Sequence, residues 1–260
     1  MRGPFAFAAA AVCGTAFAVQ AGDVAYETRL VGGKHWHAVI VNLSSEDVKV
    51  SGVINPSTDR LRSIRTMIRE SQPAAAMTGT FFDTRTGIPV GAVVVDGTRL
   101  ASGSHGSCLV IDYFNEAQIL DPKPGRSFDM DAYRFVLRGG VRVLNSGSAS
   151  VYPRGQKFRD PRVWSSAPRS GVGLTEHSKL VMLVTRSSAT LSETASAFKA
   201  FGAKNAMVLD GGGSTALYYR GELKISPQRH LSNLLVVYEE PGAAWKTYPP
   251  IAAPRILGSP

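Results

Sequence analysis

The sequence predicts an α+β fold: a single domain with large mixed β-sheets and a few helices, including one C-terminal βαβ unit. Many short stretches of alternating or β-branched residues are separated by Gly- and Pro-containing turns, whereas only two stretches have helical periodicity. Hydrophobic residues make up 44% of the 260 residues and charged residues only 19%. This composition is typical of a globular chain with a large core, and it excludes the disordered and collagen-like classes.

The first 21 residues have the pattern of a secretory signal peptide. Arg2 supplies a short positive start, residues 5–19 are apolar and uncharged, and small residues near position 21 offer cleavage sites. The apolar stretch is shorter than the roughly 20 residues that span a membrane. We therefore expect a secreted or periplasmic protein with no stable membrane anchor. Its domain covers 22–240, and a Pro/Ala-rich tail over 241–260 lies along the surface or is loose.

The first half of the predicted domain consists mainly of strands. A helix is predicted among them over 59–70, because apolar residues recur on one face of that segment and arginines cover the other. The segment 145–168 is long for a connection inside a compact domain, which is typical of a lid or binding loop. β-Branched or alternating stretches predict strands at 25–31, 36–43, 48–54, 74–78, 90–95, 108–113 and 135–144.

The C-terminal part contains the predicted βαβ unit. A continuous apolar strand at 180–185 precedes Thr190 and Glu193, which form the capping box of a helix that ends near Gly202. Because a second buried strand follows at 206–209, the two strands are expected to be parallel with a right-handed crossover. Further strands are predicted at 215–219 and 233–239.

The most distinctive motif is an Asp followed by three glycines and a Ser, from Asp210 to Ser214. Asp210 follows a buried strand, and ligands commonly bind beyond the carboxyl ends of such strands. The glycines Gly211, Gly212 and Gly213 allow close backbone approach and present N–H groups to an anion. A tight turn alone seldom needs three glycines after a carboxylate, so we expect a functional loop. It is neither a P-loop nor a dinucleotide motif, because no Gly-Lys-Ser/Thr and no helix follow.

Three further segments place polar residues beside predicted strands: Thr78 to Asp83, Pro168 to Gly173, and Arg229 to Asn233. A packed aromatic pair in the first segment accounts for its two phenylalanines but leaves Asp83 unexplained. Arginine suits bidentate contacts to phosphate or carboxylate groups. An isolated arginine, however, is more often a solvated surface residue.

Together, the four segments resemble the phosphodiester glycosidase family in residue type, order and spacing over residues 35–239. The family's pattern contains Asn-Gly-Thr/Gly-Phe-Phe, Pro-Arg-Thr-Ala-Ile-Gly, Leu-Asp-Gly-Gly-Gly-Ser and Arg-x-x-x-Asn. This sequence departs from it at Thr78, where the family usually has Asn. If that Asn contacts substrate in the family, the specificity of this protein differs.

The resemblance implies a hydrolase that cuts the glycosidic bond of a sugar-1-phosphate diester, releasing free sugar and a phosphate monoester. The substrate would be a phosphate-bearing glycan or another sugar phosphodiester, and no cofactor is implied. Asp210 would act as base or nucleophile, with Asp83 as a second carboxylate and Arg169 and Arg229 stabilising the leaving phosphate. The implied substrate-binding residues are Thr78, Gly79, Thr80, Gly211, Gly212, Gly213, Ser214, His230 and Asn233.

A non-catalytic alternative stays open at this point, namely a domain that binds anionic cell-envelope glycans or exopolysaccharide. The formal net charge of +9, from 29 basic and 20 acidic residues, favours anionic partners in general. Nucleic acid is not expected, because the basic residues are scattered and are not interleaved with aromatic ones. The sequence does not define an oligomeric state.

Other reactive side chains give weaker hypotheses. A divalent cation on Asp210 or Asp83 is compatible with their oxygen ligands. His35 and His37 share one strand face, as metal ligands can, but no third clustered ligand accompanies them. His105 lies between serines, yet the G-x-S-x-G elbow of a serine hydrolase is absent. Cys108, in an apolar run, is expected to be a buried thiol.

Overall fold

Most of the described chain is β-structure. A computed structural model describes residues 22–123 and 128–248, so the predicted signal peptide and the end of the predicted tail lie outside the described residues. The two α-helices are α1 (Ile64–Ser71) and α2 (Leu191–Ala200). The strands are β1 (Val24–Val31), β2 (Lys34–Asn42), β3 (Val48–Ile54), β4 (Ala75–Thr78), β5 (Gly91–Val95), β6 (Thr98–Ser104), β7 (Ser107–Ile111), β8 (Ala117–Leu120), β9 (Phe135–Asn145), β10 (Ser148–Ala149), β11 (Ala167–Thr175), β12 (Lys179–Ala189), β13 (Ala203–Val208), β14 (Leu217–Tyr219), β15 (Glu222–Ile225) and β16 (Asn233–Glu239).

The strands form two sheets. The larger sheet has eleven strands in the order β1-β2-β12-β11-β13-β9-β5-β6, with β10 and β7 pairing β9 and with β8 pairing β7. The smaller sheet has the order β15-β14-β4-β16-β3. Every pairing between these strands is antiparallel. The large sheets are therefore confirmed, but the prediction that they are mixed is wrong.

The predicted βαβ unit is also corrected. Strands β12 and β13 do flank helix α2 in the chain, and they run in the same direction. However, β11 lies between them and pairs antiparallel with both. Strands β12 and β13 are therefore parallel in direction but are not hydrogen-bonded to each other. Local hydrophobic patterns identify strands but do not reveal that the strand preceding β12 inserts between it and β13.

The elements form four layers, in the order α2, large sheet, small sheet and α1. One core cluster joins the inner faces of the two sheets through residues such as Val39 and Met182 of the large sheet and Met77 and Leu235 of the small one. A second cluster packs α2, with Phe198 at its centre, on the outer face of the large sheet. A third packs α1 on the outer face of the small sheet. Helices cover both outer faces, which buries strands on both sides.

Both helices begin at side-chain caps. The predicted capping box is present in α2, where Thr190 Oγ1 accepts from the Glu193 N–H at 3.2 Å and Glu193 Oε2 accepts from the Thr190 N–H at 2.8 Å. Helix α1 begins at Ile64, five residues later than predicted, with Ser63 as its N-cap. The reason is that the backbone of Arg62 pairs with Leu231 in an isolated bridge, with N···O distances of 3.0 and 2.9 Å.

The part of the predicted tail that is described, 241–248, contacts the domain. It forms a 3-10 turn at Ala243–Trp245, and the Lys49 ammonium donates to the Lys246 carbonyl. The Tyr248 ring stacks on Tyr238 with centroids 3.6 Å apart. In the described residues, no helix has the length and apolarity needed to cross a membrane.

Candidate active site

The glycine-rich loop starts where β13 ends and contacts two of the other motif segments through backbone atoms. The Leu209 N–H donates to the Ser170 carbonyl at 2.8 Å, and the Asp210 N–H donates to the Gly79 carbonyl at 3.1 Å. A Cβ atom on Gly211 would lie only 2.6 Å from the Pro168 carbonyl oxygen. Glycine is therefore required at 211 for this close approach, and the fold brings three of the four segments together at one place.

Asp210 is the half-buried carboxylate of this loop. Burial raises the pKa of Asp210 to about 6, and the Ser214 hydroxyl, the Arg229 charge and the Gly211 N–H act in the opposite direction. The Gly211 N–H donates to Asp210 Oδ1 at 3.0 Å. The Ser214 hydroxyl influences the pKa without reaching a hydrogen bond of ordinary geometry. Such a carboxylate is ionised at neutral pH and protonated in mild acid, as suits a base or nucleophile.

The loop presents donors beside this carboxylate. Gly212–Ser214 forms a single 3-10 turn. The Ser214 N–H donates to the Gly211 carbonyl, and the Thr215 N–H donates to the Gly212 carbonyl. The N–H groups of Gly212 and Gly213 have no acceptor among the residues that the structure covers. Gly212 has a φ of +57°, which favours glycine. Two adjacent free amides of this kind can bind an anionic oxygen.

Arg229 comes from the fourth segment and lies against the same loop. The neighbouring Gln228 N–H donates to the Gly213 carbonyl at 2.7 Å. A Cβ atom on Gly213 would be 2.8 Å from an Nη atom of Arg229. The Arg229 side chain is exposed, and no described residue accepts a hydrogen bond from it. Its donors are therefore available to an anionic ligand. His230, also exposed, lines a cavity of about 300 Å³ with Arg229.

Arg169 has the opposite environment, although it lies next to the same loop. The residue is only 3% exposed. Its guanidinium donates to the carbonyls of Ala189 at 2.8 Å, Val163 at 2.9 Å and Ser165. Burial lowers the pKa of Arg169 to about 10. Each of its three nitrogens donates to a backbone carbonyl, so Arg169 holds the 163–165 segment against β11, and its contact with a leaving phosphate stays a prediction.

Asp83 forms hydrogen bonds within its own loop. Its Oδ1 accepts from the N–H groups of Arg85 at 2.8 Å and Thr86 at 3.0 Å, and these bonds lower the pKa of Asp83. The residue is exposed, and its charge has no part in the pKa shift of Asp210. This geometry makes Asp83 a turn-forming residue, and a catalytic role for it stays a prediction.

The first segment is fixed by Asn233. Asn233 Oδ1 accepts from the Thr80 N–H at 2.8 Å, and Asn233 Nδ2 donates to the Thr80 carbonyl at 3.2 Å. A Cβ atom on Gly79 would lie 2.0 Å from Asn233 Oδ1, so only glycine fits there. Thr78 is buried in β4 opposite Leu234. Asn233 is thus a positioning residue. It holds the turn after β4, where the Gly79 carbonyl accepts a hydrogen bond from the Asp210 N–H.

Four buried hydroxyl groups in or next to the motif segments have no hydrogen-bond partner among the described residues. They belong to Thr80, Ser170 and Ser214, and to Thr215, which directly follows the glycine-rich motif. Unpaired buried polar groups are uncommon in native proteins and concentrate at functional sites. Sequence analysis had singled out Thr80 and Ser214 but not Ser170 and Thr215. Their positions directly after Arg169 and Ser214 were the available signal.

The weaker histidine hypotheses gain no support, whereas Cys108 is a buried thiol as expected. The His37 Nδ1 lies 2.6 Å from the Tyr26 hydroxyl. Within 22–123 and 128–248, no cluster of three or more His, Cys, Asp or Glu side chains could hold a metal ion. His105 packs on Phe158, with centroids 6.0 Å apart, and forms no bond to a described serine. Burial raises the pKa of Cys108 to about 12, which makes it an inert thiol.

Comparison with known proteins identifies the family. The phosphodiester glycosidase family model matches residues 71–238, which include all four segments. The chain belongs to the phosphodiester glycosidase family. No curated protein is significantly similar to it in sequence.

Solved structures show that the fold is shared. The catalytic domain of zebrafish N-acetylglucosamine-1-phosphodiester alpha-N-acetylglucosaminidase, auto-inhibited by its pro-peptide, superimposes with a TM-score of 0.66 at 19% identity, covering 84% of this chain and 82% of that one. A hypothetical protein from Synechocystis gives a TM-score of 0.72 at 14% identity, covering 84% of this chain. This chain spans 62% of the Synechocystis protein's length. At such identities the likeness to these two structures concerns architecture alone.

Proposed function

We propose that the protein hydrolyses a sugar-1-phosphate diester at the bond between the anomeric carbon and the phosphate oxygen. The products are a free sugar and a phosphate monoester. The observation that carries this proposal is Asp210, a carboxylate with a pKa raised to about 6 between two free glycine amides and the exposed Arg229. The family match over 71–238 supports the same reaction class.

The leaving group explains why one carboxylate and one arginine suffice. A phosphate monoester departs as an anion, so it needs charge neutralisation more than it needs a strong general acid. Arg229 and the amides of Gly212 and Gly213 supply donors where that charge develops. Asp210, ionised above pH 6, either attacks the anomeric carbon or takes a proton from the attacking water. We propose that Arg169 supports the glycine-rich loop and that Asp210, without Asp83, supplies the reacting carboxylate.

We also propose that the enzyme acts outside the cytoplasm, in the periplasm or the medium. The support is the signal-like pattern of residues 1–21, which precede the described residues. The substrates available there are glycans of the cell envelope or exopolysaccharide. The surplus of basic residues favours association with such anionic polymers.

The deciding experiment is a screen of sugar phosphodiesters with purified protein, followed by the isosteric substitution Asp210→Asn. We expect release of free sugar from at least one diester and a loss of kcat of about a thousandfold in the variant. Thermal melting checks that the variant is folded. Activity that persists in Asp210→Asn removes this residue from the chemistry. Tight binding of a non-hydrolysable analogue without any turnover supports a glycan-binding domain instead.

Asp83→Asn separates a one-carboxylate from a two-carboxylate mechanism. An Asn at 83 still accepts the two backbone N–H groups through its amide oxygen, so the loop is kept while the charge is lost. We expect kcat within about threefold of the wild type. A loss as large as that of Asp210→Asn would restore Asp83 to the catalytic machinery.

A further inference from the structure

A cavity of about 640 Å³ borders the first motif segment at Phe81. We call it the basic aromatic pocket. Aromatic and cationic side chains both line it. They are Phe81, His105, Arg154, Lys157, Phe158 and Arg159.

The aromatic part consists of three neighbouring rings. The rings of Phe81 and Phe158 are tilted by 59°, with centroids 5.5 Å apart. The His105 ring packs on Phe158, with centroids 6.0 Å apart. Phe158 is only 6% exposed, so the half-buried rings of Phe81 and His105 supply the apolar surface that one face of a sugar ring can contact.

The cationic part carries a surplus of positive charge. The one acidic lining residue, Asp160, is already neutralised by Arg162, with Nη2 and Oδ2 2.5 Å apart. Lys157 Nζ donates to Ser104 Oγ at 3.0 Å, and Arg154 lies 5.6 Å from the centroid of the Trp164 ring. Neither Arg154 nor Arg159 has a carboxylate partner among the described residues. Their guanidinium groups can therefore pair with an anion on the ligand.

Two chain segments connect this pocket to the glycine-rich loop that carries Asp210. Phe81 follows the Gly79–Thr80 turn, whose Gly79 carbonyl accepts from the Asp210 N–H. On the opposite side, Val163 lines the pocket and accepts from the Arg169 guanidinium at 2.9 Å. The Arg169 Cα would be 3.7 Å from a Cβ atom on Gly211. The same two segments thus border both the glycine-rich loop and the pocket.

We infer that the basic aromatic pocket binds the aglycone, the group on the far side of the phosphate, and that this group is an acidic sugar. This inference rests on the proposed hydrolysis of a sugar-1-phosphate diester. An acidic sugar combines the two properties that the lining recognises, an apolar ring face and an anionic substituent. The pocket makes the enzyme selective for phosphodiesters within an anionic glycan over diesters with a neutral aglycone.

The test compares two diesters that differ only in the aglycone, glucose in one and glucuronic acid in the other. Wild-type protein is expected to hydrolyse the glucuronic acid diester with a KM about tenfold lower and a similar kcat. In Arg154→Gln/Arg159→Gln, the KM for this diester rises to that of the glucose diester. The matched control Lys179→Gln/Lys199→Gln removes two exposed charges elsewhere and keeps the preference.

Three outcomes overturn the inference: no preference in wild type, a preference that survives Arg154→Gln/Arg159→Gln, or a preference lost equally in the lysine control. A second arm uses calorimetry with free glucuronic acid, glucose and uridine monophosphate. Glucuronic acid is expected to bind, and the arginine variant to weaken it about tenfold. Tighter binding of uridine monophosphate, or no binding of glucuronic acid, also overturns it. If neither diester is hydrolysed while glucuronic acid still binds at these arginines, the proposed hydrolysis fails, and the pocket is retained as an acidic-sugar site but not as an aglycone site.

Discussion

Arg169 and Arg229 lie on two sides of the same glycine-rich loop, and the regions around them differ in almost every respect. Arg169 is part of strand β11 at 3% exposure, and three backbone carbonyls take up its guanidinium. Arg229 belongs to the irregular segment between β15 and β16, is exposed, and touches the loop through Gly213. In one region backbone carbonyls bind all three guanidinium nitrogens, whereas in the other no described residue accepts a hydrogen bond from the guanidinium.

This contrast shows that arginine can have two different roles within one site, one structural and one in ligand binding. A buried guanidinium with five donors can tie together chain segments whose carbonyls would otherwise be unpaired. An exposed guanidinium keeps its charge for a ligand and influences the neighbouring carboxylate, as Arg229 does for the pKa of Asp210. The first task affects stability most directly, and the second affects turnover. The predictions below test this division.

The largest expected effect is on stability, from Arg169→Met. Methionine has a similar volume but no donors, so the carbonyls of Ala189, Val163 and Ser165 lose their partner in a buried place. We expect the free energy of unfolding to fall by about 3–5 kcal/mol. Urea denaturation measures it, and Arg169→Lys, which keeps one donor group, should lose less. A stable but inactive Arg169→Met variant would place this guanidinium in the chemistry instead.

The next effect is on turnover, from Arg229→Met. The side chain is exposed and has no hydrogen-bonded partner in the described part of the chain, so the melting temperature should stay within about 2 °C of the wild type. The reaction loses a cation that neutralises the leaving phosphate, and kcat should fall about a hundredfold. Steady-state kinetics with any hydrolysed diester measures it. A fall in stability comparable to that of Arg169→Met would erase the distinction between the two arginines.

The fold could be predicted only to the level of its elements. Strands such as 48–54 and 233–239 follow from β-branched alternation, and helix α2 follows from its Thr190/Glu193 capping box. Their partners could not be predicted, because pairing depends on contacts that no single segment encodes. Strand β2 pairs with β12, more than a hundred residues further along the chain, and β11 inserts between β12 and β13.

In the site, too, features set by local sequence could be predicted, whereas features set by contacts between distant segments could not. The Asp-Gly-Gly-Gly-Ser motif locates the loop at Asp210, since glycine spacing reflects local backbone geometry. Nothing in the local sequence distinguishes Arg169 from Arg229, because burial is decided by which carbonyls the fold brings around each guanidinium. For the same reason the hydrogen bonds of Asn233 to Thr80, across 153 positions of sequence, were not foreseen.

A smaller effect is expected on the pH dependence of turnover. Activity requires ionised Asp210, so kcat/KM should fall as the pH drops through about 6, the pKa that burial produces. Because the Arg229 charge lowers this pKa, Arg229→Met should move the acidic limb to higher pH. Arg229→Lys retains the charge and should move it less. A pH–rate profile for each variant tests this, and a limb that shifts to lower pH in Arg229→Met would mean that another group titrates.

The smallest effect is expected from Gly213→Ala, which tests whether the loop itself sets the position of Arg229. The added methyl group would meet an Nη atom of Arg229 at 2.8 Å, and a flexible, exposed side chain can move away at little cost. Stability should therefore be unchanged, while kcat/KM falls by about tenfold or less because the guanidinium is displaced from the phosphate. Gly211→Ala provides the contrast, since its Cβ atom would meet the Pro168 carbonyl at 2.6 Å and backbone cannot yield as easily. Melting should thus distinguish the two alanine variants clearly, with only Gly211→Ala destabilised. If Gly213→Ala has wild-type kinetics while Arg229→Met is impaired, Arg229 reaches the substrate without guidance from the loop, and the contact between them is incidental to turnover.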